Sequence, residues 1–109
     1  MNESEFNETV DDMLMSIEDA VEDCGIEIDF ENVAGILTLT FENDTKVIIN
    51  RQTPVQQIWV AAKSGGYHLD YDTDSDNWIS DSDKEELFAL LSRVCTEQSG
   101  ETVTLAQSE

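Results

Sequence analysis

The spacing of apolar residues changes twice along this chain of 109 residues. Near both ends apolar residues recur every three or four positions, which is the period of an amphipathic helix. Between the ends, apolar and polar residues alternate at every second position in short segments, which is typical of half-buried strands. A helix, about six strands and a second helix predict an α+β fold with an antiparallel sheet. Two helices with one apolar stripe each cover one face of that sheet, so we expect a two-layer sandwich with its other face in solvent.

The N-terminal helix is predicted by its start signal and by its apolar stripe. Asn2, followed three residues later by Glu5, forms a capping-box pattern. One arc of the helix is apolar, at Phe6, Val10, Met13, Leu14, Ile17 and Val21. The opposite side carries acidic residues three and four positions apart, and their repulsion costs on the order of 1–3 kcal/mol in total. This cost indicates that the acidic side serves something other than helix stability.

Turn signals divide the rest of the chain into strands and a closing helix. They lie at Gly35, residues 42–44, Pro54, Gly65-Gly66 and residues 72–76. The last two strands are predicted near residues 67–71 and 77–79. Ser82, with Glu85 three residues later, predicts the start of a helix that ends near Gly100. Beyond that helix, only Val103 and Leu105 are expected to pack.

The segment at residues 50–71 contains no carboxylate before Asp70, in a chain with a formal net charge of -20. Ile58 and Val60 alternate with Gln57 and Trp59, so a strand here places Gln57 and Trp59 on the solvent face of the sheet. We expect the same face to carry Thr38, Thr40, Lys46, Ile48, Asn50 and Gln52. An exposed Trp beside uncharged amides predicts a partner-binding surface. The alternative is an indole that packs over neighbouring strands and only stabilises the sheet.

A second candidate site is an acidic ridge, which we define by seven carboxylates. Its members are Glu18, Asp19, Glu22 and Asp23 from the first helix, and Glu27, Asp29 and Glu31 from the following strand. Carboxylate oxygens are hard ligands that suit Ca²⁺, Mg²⁺, Mn²⁺ and, more loosely, iron. No His or Cys is interleaved, so we expect weak, multisite and salt-sensitive cation binding. The alternative is a solvated helix face without a ligand.

The remaining motifs support no specific chemistry. Three aspartates alternate in the loop at residues 72–76, but the entering helix and the Gly and Glu of an EF-hand are missing, so a polar hairpin loop is the better interpretation. His68 is the only histidine. It has no catalytic partner at a usable spacing, and we therefore predict that the chain is not an enzyme. Cys24 and Cys95 form no CxxC pair and are expected to be structural.

The net charge restricts the class of partner. Nucleic acid and anionic membranes would be repelled, whereas cations and basic protein surfaces would be attracted. No apolar segment approaches membrane length, and the N-terminus lacks a signal-type pattern, so we expect a cytoplasmic protein. The length suits a single domain over residues 1–109.

Several dissimilar motifs occur in an order that closely resembles the frataxin family, especially its bacterial members. These motifs are an acidic first helix, GILTLTFEN, NRQTPVQQIWVA, SGGYHLDY, NWIS and a closing helix. The resemblance covers nearly the whole chain and implies the same two-layer sandwich. It also implies iron binding on the acidic ridge, and docking on the cysteine desulfurase and scaffold protein of iron–sulfur cluster assembly. Asn50, Gln52 and Trp59 match the partner-facing motif of that family.

The sequence therefore supports two alternative functions. The first, implied by the resemblance, is an iron-binding regulator of cluster assembly that acts as an iron-dependent modulator or iron donor and is a monomer without iron. The alternative is an acidic decoy that occupies basic protein surfaces and has no specific metal function. A decoy needs the acidic ridge but has no use for an acid-free sheet face.

Overall fold

Residues 1–107 are described by a computed structural model. Helix α1 (Glu3–Asp23) precedes six strands, and helix α2 (Leu87–Ser99) follows them. The strands are β1 (Ile28–Val33), β2 (Ile36–Phe41), β3 (Lys46–Gln52), β4 (Gln57–Ala62), β5 (Gly65–Asp72) and β6 (Asn77–Ser80), with a short 3-10 helix over Thr53–Val55. They form one antiparallel sheet in sequence order, so β1 and β6 are its edges. The predicted α+β class and six-stranded meander are confirmed.

The core lies between one face of the sheet and the two helices. All six residues of the predicted α1 stripe are buried, and the capping box formed by Asn2 and Glu5 is present. Along β4, Ile58 and Val60 are buried while Trp59 is exposed. Apolar residues that alternate with polar ones thus enter the core at every second position. The opposite side of the sheet, which we call the open face, is covered by neither helix, as predicted.

The β1–β2 turn helps to hold α1 against the sheet. Ala34 and Gly35 have φ values of 54° and 79°, the left-handed conformation that a type I′ hairpin requires. A Cβ on Gly35 would lie 3.0 Å from Arg51 Nη2, so the missing side chain leaves room for the guanidinium. Arg51 donates to Asn7 Oδ1 over 3.1 Å and forms an ion pair with Asp11. These contacts join β3 to α1, the helix that carries four of the seven carboxylates of the acidic ridge.

Helix α2 begins later than the sequence predicts, so the second capping box is wrong. Glu86, not Ser82, is the N-cap residue, and its carboxylate accepts a hydrogen bond from Phe88 N over 2.9 Å. The preceding chain remains attached to the sheet, because Glu86 forms a β-bridge with Ile79 and Ser80 N donates to Glu85 O. Pairing with β6 therefore outweighs the local capping signal.

The turn between β4 and β5 also differs from the prediction. Lys63 and Ser64 form a two-residue turn, whereas Gly65 and Gly66 already belong to β5. Gln98, near the end of α2, accepts a hydrogen bond from Lys63 N over 2.8 Å. A tertiary contact thus supports this turn, and the glycines are not its central residues.

The segment after α2 packs along that helix. Val103 and Leu105 are buried, as predicted. Val103 N donates to Thr96 Oγ1, and Leu105 N donates to Ser92 Oγ, each over 2.9 Å. Because these backbone groups are satisfied by hydroxyls on α2, an extended segment can lie against the helix without forming secondary structure.

Candidate functional site

The helical part of the acidic ridge occupies the last turns of α1. Asp19, Glu22 and Asp23 are exposed, while Glu18 is half-buried. Glu18 Oε2 accepts a hydrogen bond from Asn32 Nδ2 of β1 over 3.2 Å. The last turn of α1 contains no basic residue, so nothing there offsets the negative end of the helix dipole. The ridge therefore concentrates negative charge where α1 meets the edge strand.

The strand part of the ridge faces a different direction from the helical part. Asp29 and Glu31 pair with Thr40 and Thr38, which places them on the open face. Glu27 precedes β1 and lines a groove of about 310 Å³ together with two further glutamates. The ridge thus wraps around the sheet edge, with carboxylates on both sides of β1.

The ridge carboxylates do not converge on one point. Over residues 1–107, no three His, Cys, Asp or Glu side chains are grouped so that they could hold a metal ion in common. Separate oxygen donors of this kind suit hard cations that keep most of their water ligands. The donor set is thus compatible with weak cation binding at several places, and a closed site is not built in this part of the chain.

The loop at residues 72–76 connects β5 to β6. Asp72 Oδ1 accepts a hydrogen bond from Asp74 N over 3.1 Å, and Asp72 Oδ2 accepts one from Ser75 Oγ over 2.8 Å. The Asp72 carboxylate therefore holds the turn itself. This geometry agrees with the predicted polar hairpin loop.

Trp59 lies at the centre of the open face, with 36% of its surface exposed. Its cross-strand neighbours are Asn50 on β3 and His68 on β5. The indole Nε1 donates to Gln57 Oε1 over 2.9 Å, and Gln57 Nε2 donates to Asp70 Oδ1 over 3.1 Å. The His68 imidazole stacks on the indole with ring centroids 4.3 Å apart and planes inclined by 16°. The predicted partner residues Asn50, Gln57 and Trp59 are therefore adjacent, and Gln52 pairs with Gln57 at their side.

Apolar side chains extend the open face from Trp59 towards β1. Ile36 and Ile48 are 39% and 37% exposed, and Val33 is 58% exposed. Val33 pairs with Ile36, and Ile48 pairs with Ala61. Of these four residues, only Ile48 was expected on this face from the sequence. The alternation along β2 could have revealed Ile36, because it precedes the inward-facing Leu37.

The open face is not free of carboxylates, which corrects the expectation from the sequence. Asp29 and Glu31 lie at its β1 edge, and Asp70 lies on β5. The outward positions of β2, β3, β4 and β6 lack acidic residues. The expectation was wrong because it took only the central strands into account, whereas the acidic residues lie on β1 and β5. A partly apolar centre on β2, β3 and β4, whose charged residue is Lys46, is thus flanked by acidic groups on both sides.

Comparison with known proteins identifies the family. A family model described as a frataxin-like domain matches residues 1–101. The chain belongs to the frataxin-like family. Among similar proteins is the iron-sulfur cluster assembly protein CyaY of Pseudomonas paraeruginosa, which is 50% identical over 103 residues, or 94% of this chain and 95% of that protein. CyaY of Photobacterium profundum is 44% identical over 103 residues, or 94% of this chain and 96% of that protein.

Solved frataxin structures share the fold. Frataxin from Psychromonas ingrahamii superposes with a TM-score of 0.89 at 40% identity, over 98% of this chain and 100% of that one. Yeast frataxin superposes with a TM-score of 0.63 at 26% identity, over 86% of this chain and 80% of that one. The frataxin fold that the resemblance implied is therefore confirmed.

In the part of the chain that the structure describes, two of the five basic residues of this frataxin-like protein are engaged in ion pairs. Arg51 pairs with Asp11, while Arg93 Nη2 lies 2.9 Å from Glu85 Oε1. Hydrogen bonding to Glu85 raises the pKa of Arg93 above its ordinary value. Both guanidinium groups are thus paired with carboxylates that do not belong to the acidic ridge. Within residues 1–107, neither helix has the length and apolar character needed to span a membrane.

Proposed function

We propose that this chain modulates iron–sulfur cluster assembly by docking on the cysteine desulfurase–scaffold complex, and that it binds iron weakly on the acidic ridge. The CyaY relatives are named as iron-sulfur cluster assembly proteins, which supports the process. The observation that carries the proposal is the organised open face. Trp59 is exposed, held by Gln57 and His68, and bordered by an apolar patch with acidic flanks.

The open face has the properties of a protein-contact surface. Trp is among the residues most enriched at the energetic centres of interfaces. An apolar patch with a charged border excludes water at its centre and selects the charge of its partner at its rim. An acidic decoy requires the charge alone and gives no reason for Trp59 to be exposed and held in place. We therefore favour a specific partner with an apolar contact and a basic border.

The acidic ridge serves the same encounter and supplies its iron dependence. A net charge of -20 attracts a basic surface over distances of several ångströms and raises the association rate. Fe²⁺ bound by separate ridge carboxylates would neutralise part of this field. Iron is then a cargo or a signal, and its level alters the strength of docking.

The proposal also covers the oligomeric state of the protein and the cellular compartment in which it acts. We propose a non-catalytic protein that is monomeric without iron, because copies with this charge repel one another. We also place it in the cytoplasm, since Cys24 and Cys95 carry free thiols, which suits a reducing compartment.

Reconstituted cluster assembly tests the proposed function. Purified desulfurase and scaffold are supplied with cysteine and Fe²⁺, and cluster formation is followed by visible absorbance at several iron concentrations. We expect the chain to change the initial rate to an extent that depends on iron. Trp59→Ala should lose most of this effect, whereas Ala89→Gln, at an exposed position of α2, should retain it.

The contrary result is a chain that neither binds the complex nor changes the rate at any iron concentration. Recovery of basic nucleic-acid-binding proteins in place of the assembly proteins would support the decoy instead. Ridge variants that retain full iron dependence would show that the ridge does not carry the metal response.

A further inference from the structure

His68 is an exposed residue of β5 whose ring covers part of Trp59. Two acidic residues are its neighbours in the sheet. Asp70 follows on the same side of β5, and Asp81, after β6, donates from its backbone N to His68 O over 2.9 Å. Lys84 lines the same groove as both aspartates. On its β4 side the His68 ring faces the indole of Trp59.

The position of the Trp59 indole depends on two neighbours. Gln57 holds Nε1 through a 2.9 Å hydrogen bond, and His68 holds the ring plane through the 4.3 Å stack. A side chain that is already ordered loses less conformational entropy when a partner binds. Removing the stack would leave a single hydrogen bond to orient a large ring that is 36% exposed.

We propose that His68 is a positioning residue for Trp59, and that its ring orders the indole for docking on the open face. This inference rests on the proposed function, because it assumes that a partner binds the open face. An indole that is already held in one orientation loses less conformational entropy on binding, so loss of the stack weakens docking.

Two substitutions test the contribution of the ring. His68→Phe keeps an aromatic ring beside Trp59, and Phe is well tolerated in strands. His68→Ala removes the ring. Binding of each variant to the purified desulfurase–scaffold complex is measured at pH 8.

At pH 8 we expect His68→Phe to bind within about twofold of the wild type. His68→Ala should bind roughly three- to tenfold more weakly, the range given by the loss of one aromatic pair.

Four results would overturn the inference. His68→Ala that binds like the wild type at pH 8 shows that the stack does not position Trp59. His68→Phe that binds as weakly as His68→Ala shows that docking does not depend on an aromatic ring at this position. A fluorescence anisotropy of Trp59 that does not change in His68→Ala shows that the two rings are not coupled. If Trp59→Ala also binds normally, the open face is not the docking surface and the proposed function is wrong as well.

The free protein provides a readout that needs no partner. Loss of the stack leaves the indole more mobile, so the fluorescence anisotropy of Trp59 should fall in His68→Ala and stay near the wild-type value in His68→Phe. Trp78, the second tryptophan, is fully buried and serves as a constant background. An anisotropy in His68→Ala equal to that of the wild type refutes the coupling between the two rings.

Discussion

Neutralising the end of α1 should stabilise the protein while removing its iron response. The change is the triple variant Asp19→Asn, Glu22→Gln and Asp23→Asn, which leaves the hydrogen bond between Glu18 and Asn32 intact. In the wild type these residues create three like-charge pairs at helical spacings of three or four: Glu18–Glu22, Asp19–Glu22 and Asp19–Asp23.

The magnitude follows from this geometry. Each like-charge pair costs about 0.2–0.5 kcal/mol. Glu22 and Asp23 also lie in the last turn of α1, where each anion opposes the helix dipole by about 0.3–1 kcal/mol. Together these contributions predict a rise of about 1–3 kcal/mol in the free energy of unfolding at low ionic strength. The gain should shrink in 1 M salt, where the Debye length is about 3 Å.

Urea unfolding monitored by circular dichroism, with a chelator present, measures the stability change. Fe²⁺ is then added under anaerobic conditions, and the melting temperature is recorded as a function of its concentration. Wild-type melting should rise with Fe²⁺, because a ligand of the native state stabilises it by mass action. The triple variant should show little rise, and Mg²⁺ in excess should suppress the rise in the wild type.

The matched control removes three exposed carboxylates elsewhere, through Asp44→Asn, Asp74→Asn and Asp81→Asn. It alters the net charge equally but should keep the iron response. A triple variant that is no more stable than the control contradicts the repulsion argument. An undiminished iron response in the triple variant shows that the end of α1 is not the principal metal site.

Three further predictions concern the fold. Leu105→Ala should lower the free energy of unfolding by about 2–4 kcal/mol in urea unfolding, because this side chain is only 3% exposed, whereas Thr104→Ala beside it should have little effect. Ala34→Asn should raise stability by about 0.5–1 kcal/mol, because Ala has a φ of 54° and Asn tolerates this conformation better; an unchanged urea midpoint would refute this. Burial raises the pKa of the Cys95 thiol to about 12. The unfolded chain therefore loses this proton at a lower pH than the folded protein does, and the free energy of unfolding should fall above pH 9 by about 1.4 kcal/mol per pH unit. Cys95→Ala should show a shallower fall, and equal slopes would contradict that assignment.

The elements with strong periodicity were predictable from the sequence. The six apolar residues of the α1 stripe satisfy one helical arc, and all of them are buried. Strict alternation likewise assigned Ile58 and Val60 to the core and left Trp59 outside. These patterns are reliable because burial of apolar surface is the dominant favourable contribution to folding. The buried positions recur along the chain with the period of the helix or strand that carries them.

The failures occur where long-range contacts decide local structure. The capping pattern at Ser82 is a four-residue signal, and the bridge between Glu86 and Ile79 outweighs it. The stack of His68 on Trp59 depends on the β4–β5 register, which the spacing of the two residues does not specify. For the same reason, the central strands alone did not predict the carboxylates that flank the open face. Those carboxylates lie on β1 and β5, and the strand order decides that they border this face.

The most direct test of the central claim is the affinity of Trp59→Ala for the desulfurase–scaffold complex, measured together with its stability. Trp59 is partly exposed and stacked on His68, so its loss should cost about 1–2 kcal/mol of folding free energy, less than a fully buried aromatic. As an interface anchor it should contribute about 2 kcal/mol or more to binding. We therefore predict a folded protein whose dissociation constant rises about thirtyfold or more. A folded Trp59→Ala protein that binds with wild-type affinity would contradict the account.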